Sequence, residues 1–225
     1  MMDNKTKGKI FSCVDHTLLS VTATAEDIRK TVREGIKYGC ASVCIPPRFV
    51  GVAREEAKGR IAVCTVVGFP NGYSTAAVKA FEAKEAIENG ATEIDTVIPV
   101  GALRGGDTDA LKEELMLLRE ATRGYILKVI IETSLLTEEE KRIAARIVSS
   151  SGADFIKTST GFSTGGATHE DVVLLKESVA EGVRVKAAGG ISDFADAERY
   201  LSEGADRLGT SRLVKISEQE DAKGY

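Results

Sequence analysis

The fold class predicted by the sequence is a (β/α)8 TIM barrel, one domain over residues 1–225 with a mobile tail from 217 to 225. Three observations carry that expectation: a repeated glycine phrase, eight short apolar runs, and a charge-bearing parity inside those runs. Glycines at Gly39, Gly90, Gly124, Gly152, Gly182 and Gly204 each follow a helix-like stretch and precede an apolar run. Four of them open similar phrases, Gly-Cys-Ala-Ser-Val, Gly-Ala-Thr-Glu-Ile, Gly-Ala-Asp-Phe-Ile and Gly-Ala-Asp-Arg-Leu. A glycine just past a helix end closes the last turn in the left-handed conformation, and a strand then follows. Such a unit repeated over 225 residues suits an α/β barrel, with an open doubly wound sheet as the structural rival.

Taken in order, the strands fall at 11–15, 41–45, 61–67, 92–98, 125–132, 153–158, 183–187 and 206–210. The stretches between them carry helical spacing. Leu111, Leu115, Leu118 and Thr122 step by four, three and four, and Val172, Leu175 and Val179 follow the same rule. Thr137 before Glu138 to Glu140, and Thr168 before Glu170 and Asp171, read as helix starts. Side chains alternate across a strand, so each strand has two faces. Ile94, Thr96 and Ile98 oppose Glu93, Asp95 and Val97; Leu127, Val129 and Ile131 oppose Lys128, Ile130 and Glu132. Val183, Val185 and Ala187 oppose Arg184 and Lys186, and Ile156 opposes Phe155 and Lys157. Parallel strands covered on both faces are normally almost wholly apolar. Charges on one parity of several strands therefore imply a shared polar interior, which favours the barrel and marks a site.

Composition narrows the function. With 43% hydrophobic and 28% charged residues the chain is ordinary for a globular protein, and a net charge of −4 with scattered Lys and Arg speaks against a nucleic-acid partner. No signal peptide or membrane span is expected, because Met1 to Ile10 is polar and no apolar run follows. Cys13, Cys40, Cys44 and Cys64 form no CxxC pair, so reduced thiols in a cytoplasmic protein are expected. His16 and His169 stand in different segments without ligand spacing, so no metal is expected. No dinucleotide fingerprint appears, and no cofactor is expected.

The chemistry centres on two lysines. Lys157 ends Ala-Asp-Phe-Ile-Lys and Lys186 ends Val-Arg-Val-Lys, placing both at the C-terminal ends of neighbouring strands, where barrel enzymes place catalysis. At an effective dielectric of about 20, two ammonium groups about 5 Å apart repel by roughly 3 kcal/mol, enough to leave one amine partly neutral. A neutral lysine is what attack on a carbonyl needs. Asp95, inward on the fourth strand, can move protons as an adduct forms and collapses. A lone strand lysine is more often a structural ion pair, with Glu132 or Asp95 as partner; two at matched strand ends beside an inward aspartate favour chemistry. Gly189 and Gly190 follow the seventh strand, and Gly209, Thr210 and Ser211 the eighth, where such barrels seat phosphate on backbone N–H groups. Thr158, Lys128 and Cys44 are further candidates, though a packed strand thiol is the plainer account of Cys44. Arg212 could add charge to the site or face solvent.

The run Lys157-Thr-Ser-Thr-Gly-Phe-Ser-Thr-Gly-Gly-Ala-Thr168 resembles the deoxyribose-phosphate aldolase family. Asp15-His-Thr-Leu18, Ser42-Val-Cys-Ile45, Val67-Gly-Phe-Pro70, Glu93-Ile-Asp95, Lys128 to Thr133 and Lys186 to Gly190 extend the likeness across most of the chain. The resemblance implies a class I aldolase that reversibly cleaves 2-deoxy-D-ribose 5-phosphate to D-glyceraldehyde 3-phosphate and acetaldehyde. It implies that Lys157 forms the Schiff base, Lys186 tunes it, Asp95 shuttles protons through a water, and Asp15 supports near the substrate hydroxyl. It also implies a homodimer and a proton-transfer role for a C-terminal tyrosine, here Tyr225. Pro99, Ala188, Ser192 and Arg212 depart from the family's pattern, the last three near the expected phosphate loops. Another aldolase of this fold with a different donor, and a catalytically silent sugar-phosphate binder, are the competing expectations.

Overall fold

The computed structural model describes residues 2–223 and is a closed, all-parallel barrel with strand order β1 to β8. The strands are β1 Val14–Thr17, β2 Ser42–Ile45, β3 Ala62–Val67, β4 Glu93–Val97, β5 Ile126–Ile130, β6 Phe155–Lys157, β7 Arg184–Ala188 and β8 Arg207–Thr210. Closure rests on the pairing of β1 with β8, in which Val14, Asp15 and His16 face Leu208, Gly209 and Thr210. This pairing removes the open sheet as an alternative.

Helices α2 Ala25–Tyr38, α3 Val50–Ala57, α4 Ala76–Asn89, α5 Val100–Arg104, α6 Thr108–Ala121, α7 Glu138–Ser150, α8 His169–Ser178 and α9 Phe194–Ser202 connect the strands, α1 Asn4–Phe11 precedes them and α10 Arg212–Lys223 follows β8. The expected helix starts hold: Thr137 and Glu140 form a reciprocal capping box at α7, and the Thr168 side chain accepts the Asp171 N–H at α8. Gly39, at φ 69°, closes α2 in the left-handed region and turns the chain into β2.

Two boundaries depart furthest from expectation. The first strand begins at Val14, not at residue 11, because Asp3 caps a helix over 4–11 whose Ile10 and Phe11 are buried. Phe11 stacks on Tyr38 at 5.1 Å and meets Phe194 edge-on at 5.4 Å, so α1 packs against the start of α9 and the end of α2. The segment expected as a tail from 217 is helical through Lys223, and Ser217 is buried. Tyr225 lies outside the described residues.

The apolar core is a ring between strands and helices. Ile94, Leu127, Val129, Ile156, Val185, Ala187 and Leu208 are fully buried there against helix residues such as Leu111, Leu115, Val172 and Leu175. Each fully buried Leu or Ile of this ring contributes roughly 1.5–3 kcal/mol. The opposite parity lines the barrel, and that parity holds the charges.

Candidate active site

Strand register brings the inward charges to one level. Asp95 pairs with Lys128 across β4 and β5, Lys157 with Lys186 across β6 and β7, and Lys186 with Arg207 across β7 and β8. Asp95 is the hub. Its Oδ2 accepts from Lys157 Nζ at 2.8 Å and from Lys186 Nζ at 2.7 Å; its Oδ1 accepts from Lys128 Nζ at 2.8 Å and Cys64 Sγ at 3.2 Å. Asp15 is the second carboxylate. It accepts from Lys186 Nζ on one oxygen, and from Ser42 Oγ at 2.7 Å and Arg207 Nη1 at 2.6 Å on the other. Glu93, one layer below Asp95, holds Lys128 at 2.6 Å.

Asp15 and Asp95 are buried, which by itself raises their pKa, yet the cations win. Lys186, Lys128 and Arg207 hold Asp15 well below the usual carboxylate range, and Lys128, Lys157 and Lys186 do the same for Asp95. Burial works against the charged form of Lys186 and Lys128 as well, but Asp15 and Asp95 keep Lys186 protonated above the ordinary lysine value. Lys128 is held up in the same way by Asp95, Cys64, Asp15 and Glu93. The magnitudes explain the direction. At an effective dielectric of about 20, a contact near 2.7 Å attracts by roughly 6 kcal/mol, twice the roughly 3 kcal/mol of lysine–lysine repulsion. Lys186, which sits between two carboxylates, therefore keeps its proton.

Lys157 differs from the other two lysines in its surroundings. Lys128 and Lys186 are sealed in the interior, whereas Lys157 lines a cavity of about 260 Å³ at the C-terminal mouth. Gly161, Gly189, Gly190, Thr210 and Ser211 line the same space, so the glycine pair and the loop after β8 converge with Lys157. Gly189, at φ 81°, lies with its Cα–H side against the Gly166 backbone, an approach a side chain would obstruct. α10 starts at Arg212, whose N–H donates to the Thr210 hydroxyl at 3.0 Å, so the first turn of the helix adjoins Ser211. Arg212 Nε donates to the Ser192 carbonyl at 3.1 Å, tying the two glycine-bearing loops together.

The remaining expectations divide. Cys44 is buried inside the barrel with Cys64 and Val66, under Leu19 and Phe69. Thr158 is buried, and its hydroxyl accepts the Ala188 N–H at 3.2 Å, so it links β6 to β7 and does not line the cavity. Among the described residues Glu132 pairs with no lysine; its carboxylate accepts from the Thr160 N–H at 3.2 Å and from the Thr160 hydroxyl. Its backbone leaves the fifth strand in the left-handed region, at φ 56°, which is why that strand ends at Ile130.

Sequence reasoning passed over Cys64 and Arg207 as site residues. Both stand on the inward parity of their strands, the signal that could have found them. It also missed that the acidic residues Asp15, Glu93 and Asp95 converge. Two groups among the described residues, Cys44–Cys64–Asp95 and Asp15–Cys64–Glu93, place their ligand atoms within 4.8 Å of one another. Lys128 Nζ stands among them, 3.2 Å from Cys64, 2.8 Å from Asp95 and 2.6 Å from Glu93, so an ammonium holds the position a metal ion would need. No helix is long and apolar enough to cross a membrane among the described residues.

Comparison with known proteins places this geometry. The sequence model of a family described as DeoC/LacD family aldolase matches residues 9–211. A Streptococcus pyogenes deoxyribose-phosphate aldolase is 52% identical over 214 residues, covering 95% of this chain and 96% of that protein. A Clostridioides difficile protein of the same name is 50% identical over 216 residues, covering 96% and 99%. The solved structure of deoxyribose phosphate aldolase from Aeropyrum pernix, described as a unique tetrameric structure, superposes with a TM-score of 0.86 at 32% identity, over 94% of this chain and 92% of that one.

Proposed function

The chain belongs to the DeoC/LacD family of aldolases, and from that premise we propose that it cleaves 2-deoxy-D-ribose 5-phosphate reversibly through a Schiff base on Lys157. One observation carries the choice of lysine: of the three lysines around Asp95, only Lys157 lines the cavity.

In the proposed reaction Lys157 Nζ attacks the C1 aldehyde of the open-chain sugar, giving a carbinolamine. Asp95, within hydrogen-bond reach of Nζ, relays protons through a water as the hydroxyl leaves and the iminium forms. Removal of the C3 hydroxyl proton then breaks the C2–C3 bond. Its electrons flow into the iminium, D-glyceraldehyde 3-phosphate departs, and an enamine remains on Lys157. Protonation at C2 and addition of water release acetaldehyde and the free amine. Lys186 stays protonated between Asp15 and Asp95 and stabilises both as anions. The phosphate is proposed to rest on the amides of Gly189, Gly190 and Ser211 and the start of α10.

The test is borohydride reduction in the presence of 2-deoxy-D-ribose 5-phosphate and EDTA, read by peptide mass. An adduct on Lys157, and loss of turnover with retained sugar-phosphate binding in Lys157→Leu, is the expected result. No adduct on a folded protein that binds the sugar phosphate would overturn the aldolase assignment of this lysine. We propose in addition that the chain acts as a homodimer, on the strength of the family likeness; sedimentation at twice the 24.0 kDa chain mass is expected, and a tetramer would refute it.

A further inference from the structure

Two thiols that the proposed reaction does not use sit beside its central carboxylate. Cys44 on β2 and Cys64 on β3 are register partners, and both are fully buried. Their sulfurs and an Asp95 carboxylate oxygen all lie within 4.8 Å of one another. Neighbouring strands run about 4.7–4.9 Å apart, inside the roughly 4.4–6.8 Å Cα separation that a disulfide spans. Both side chains point inward on the same parity, so their Cβ atoms lie side by side. The pair is covered by Leu19 and Phe69. Those two residues also line a second cavity of about 500 Å³, so one layer of side chains separates the thiols from an opening large enough for a small oxidant.

The two thiols are not equivalent. A hydrogen bond from Cys64 pulls the Cys44 thiol below its ordinary value, against burial and Asp95 and with help from Lys186 and Lys157. Burial pushes Cys64 well up, so it keeps its one proton, for which Cys44 and Asp95 Oδ1, the latter at 3.2 Å, compete as acceptors. The other cysteines lack this pairing: Cys40 is pushed by burial up to about 12, and Cys13 is partly exposed at the start of β1. A nucleophilic thiol beside a resolving thiol is the arrangement of a reversible oxidation site.

We propose that Cys44 and Cys64 are such a site, at which hydrogen peroxide converts the dithiol to a disulfide and slows the aldolase. The Cys44 thiolate attacks one peroxide oxygen, the O–O bond breaks, and the leaving oxygen takes up a proton as water. The Cys64 sulfur then attacks the Cys44 sulfenic acid; the S–O bond breaks, the S–S bond forms, and a second water leaves with the Cys64 proton. Two thiols are oxidised and one peroxide is reduced. The product can no longer donate from Cys64 to Asp95, so the carboxylate that holds Lys157 loses a hydrogen bond on its other oxygen. The effect on turnover rests on the proposed role of Asp95; formation of the disulfide does not.

The experiment treats the reduced full-length protein with hydrogen peroxide, quenches with catalase, and reads non-reducing peptide maps beside aldol cleavage rates. A linked Cys44–Cys64 peptide is expected, with kcat lowered roughly tenfold or more, about the loss of one hydrogen bond to a charged group, and recovered with dithiothreitol. Cys64→Ala and Cys44→Ala, each compared with its own untreated rate, should show no thiol-reversible loss. Absence of the linked peptide while Cys13 is oxidised overturns the site. A linked peptide with unchanged kcat, or an equal reversible loss in Cys64→Ala, overturns its control of the reaction. If the untreated protein forms no Lys157 adduct, the catalytic reading fails and the peptide map still decides the oxidation site.

Discussion

Asp95 carries more of the interior than any single lysine does. Three ammonium groups and one thiol share its two oxygens, and all of these partners are buried. Replacing one partner of a buried ionic cluster leaves uncompensated charge, which costs roughly 3–5 kcal/mol. Asp95→Asn is therefore expected to lower unfolding stability by about that amount in urea titrations. It should also reduce kcat roughly 10²–10⁴-fold, the usual contribution of a positioned proton-transfer group. A folded Asp95→Asn protein with unchanged kcat would show that the carboxylate is only structural. Lys157 and Lys186 were legible at this scale, because matched strand-end lysines are rare without a reason. Cys64 was not, since a cysteine on a strand looks the same in sequence whether it touches carbon or a carboxylate.

At the scale of elements, the segment after β6 is held by the end of β5. Glu132 takes a left-handed backbone conformation at φ 56°, uncommon for a residue with a side chain, and from there its carboxylate reaches the Thr160 N–H and hydroxyl. The Thr160 hydroxyl oxygen in turn accepts the Phe162 N–H at 3.1 Å, and Phe162 meets Phe69 edge-on at 5.3 Å over the cavity mouth. Hydrogen bonds to a charged group are worth about 1.5–3 kcal/mol, so Glu132→Ala should release this loop. The expected readout is KM for the sugar phosphate raised about tenfold or more with a smaller change in kcat, and partial rescue in Glu132→Gln, which keeps one acceptor. A pure kcat loss with unchanged KM would argue against a positioning role. The helix starts at Thr137 and Thr168 were readable because capping is local; the Glu132 turn was not, because its reason lies in Thr160 on the next strand's loop.

At the scale of the whole molecule, burying several charges in one barrel makes stability depend on pH at both ends. Asp15 and Asp95 are depressed below the ordinary aspartate value of 3.8. As pH falls through and below that value the unfolded chain takes up protons the folded carboxylates refuse, so stability is lost toward acid. Lys128 and Lys186 are raised above the ordinary 10.5, so their contribution is complete below it and is lost as pH climbs beyond. Thermal unfolding followed from acid to alkali should show a plateau between about pH 4 and pH 10, falling on both sides. In Asp95→Asn the acid limb should become shallower. An acid limb as steep as that of the unsubstituted protein would place the titration elsewhere.

By itself the sequence determined the barrel, the polar parity of its interior and the two strand-end lysines. Those follow from short-range rules: alternation along a strand, glycine past a helix end, and the number of repeats a closed sheet needs. The tertiary structure alone decided which charges meet, that Lys186 is sealed between Asp15 and Asp95 while Lys157 borders the cavity, and that Cys44 and Cys64 stand side by side. Register and closure bring together residues as distant as 15 and 207, and attraction at contact distance then outweighs repulsion that spacing along the chain cannot measure.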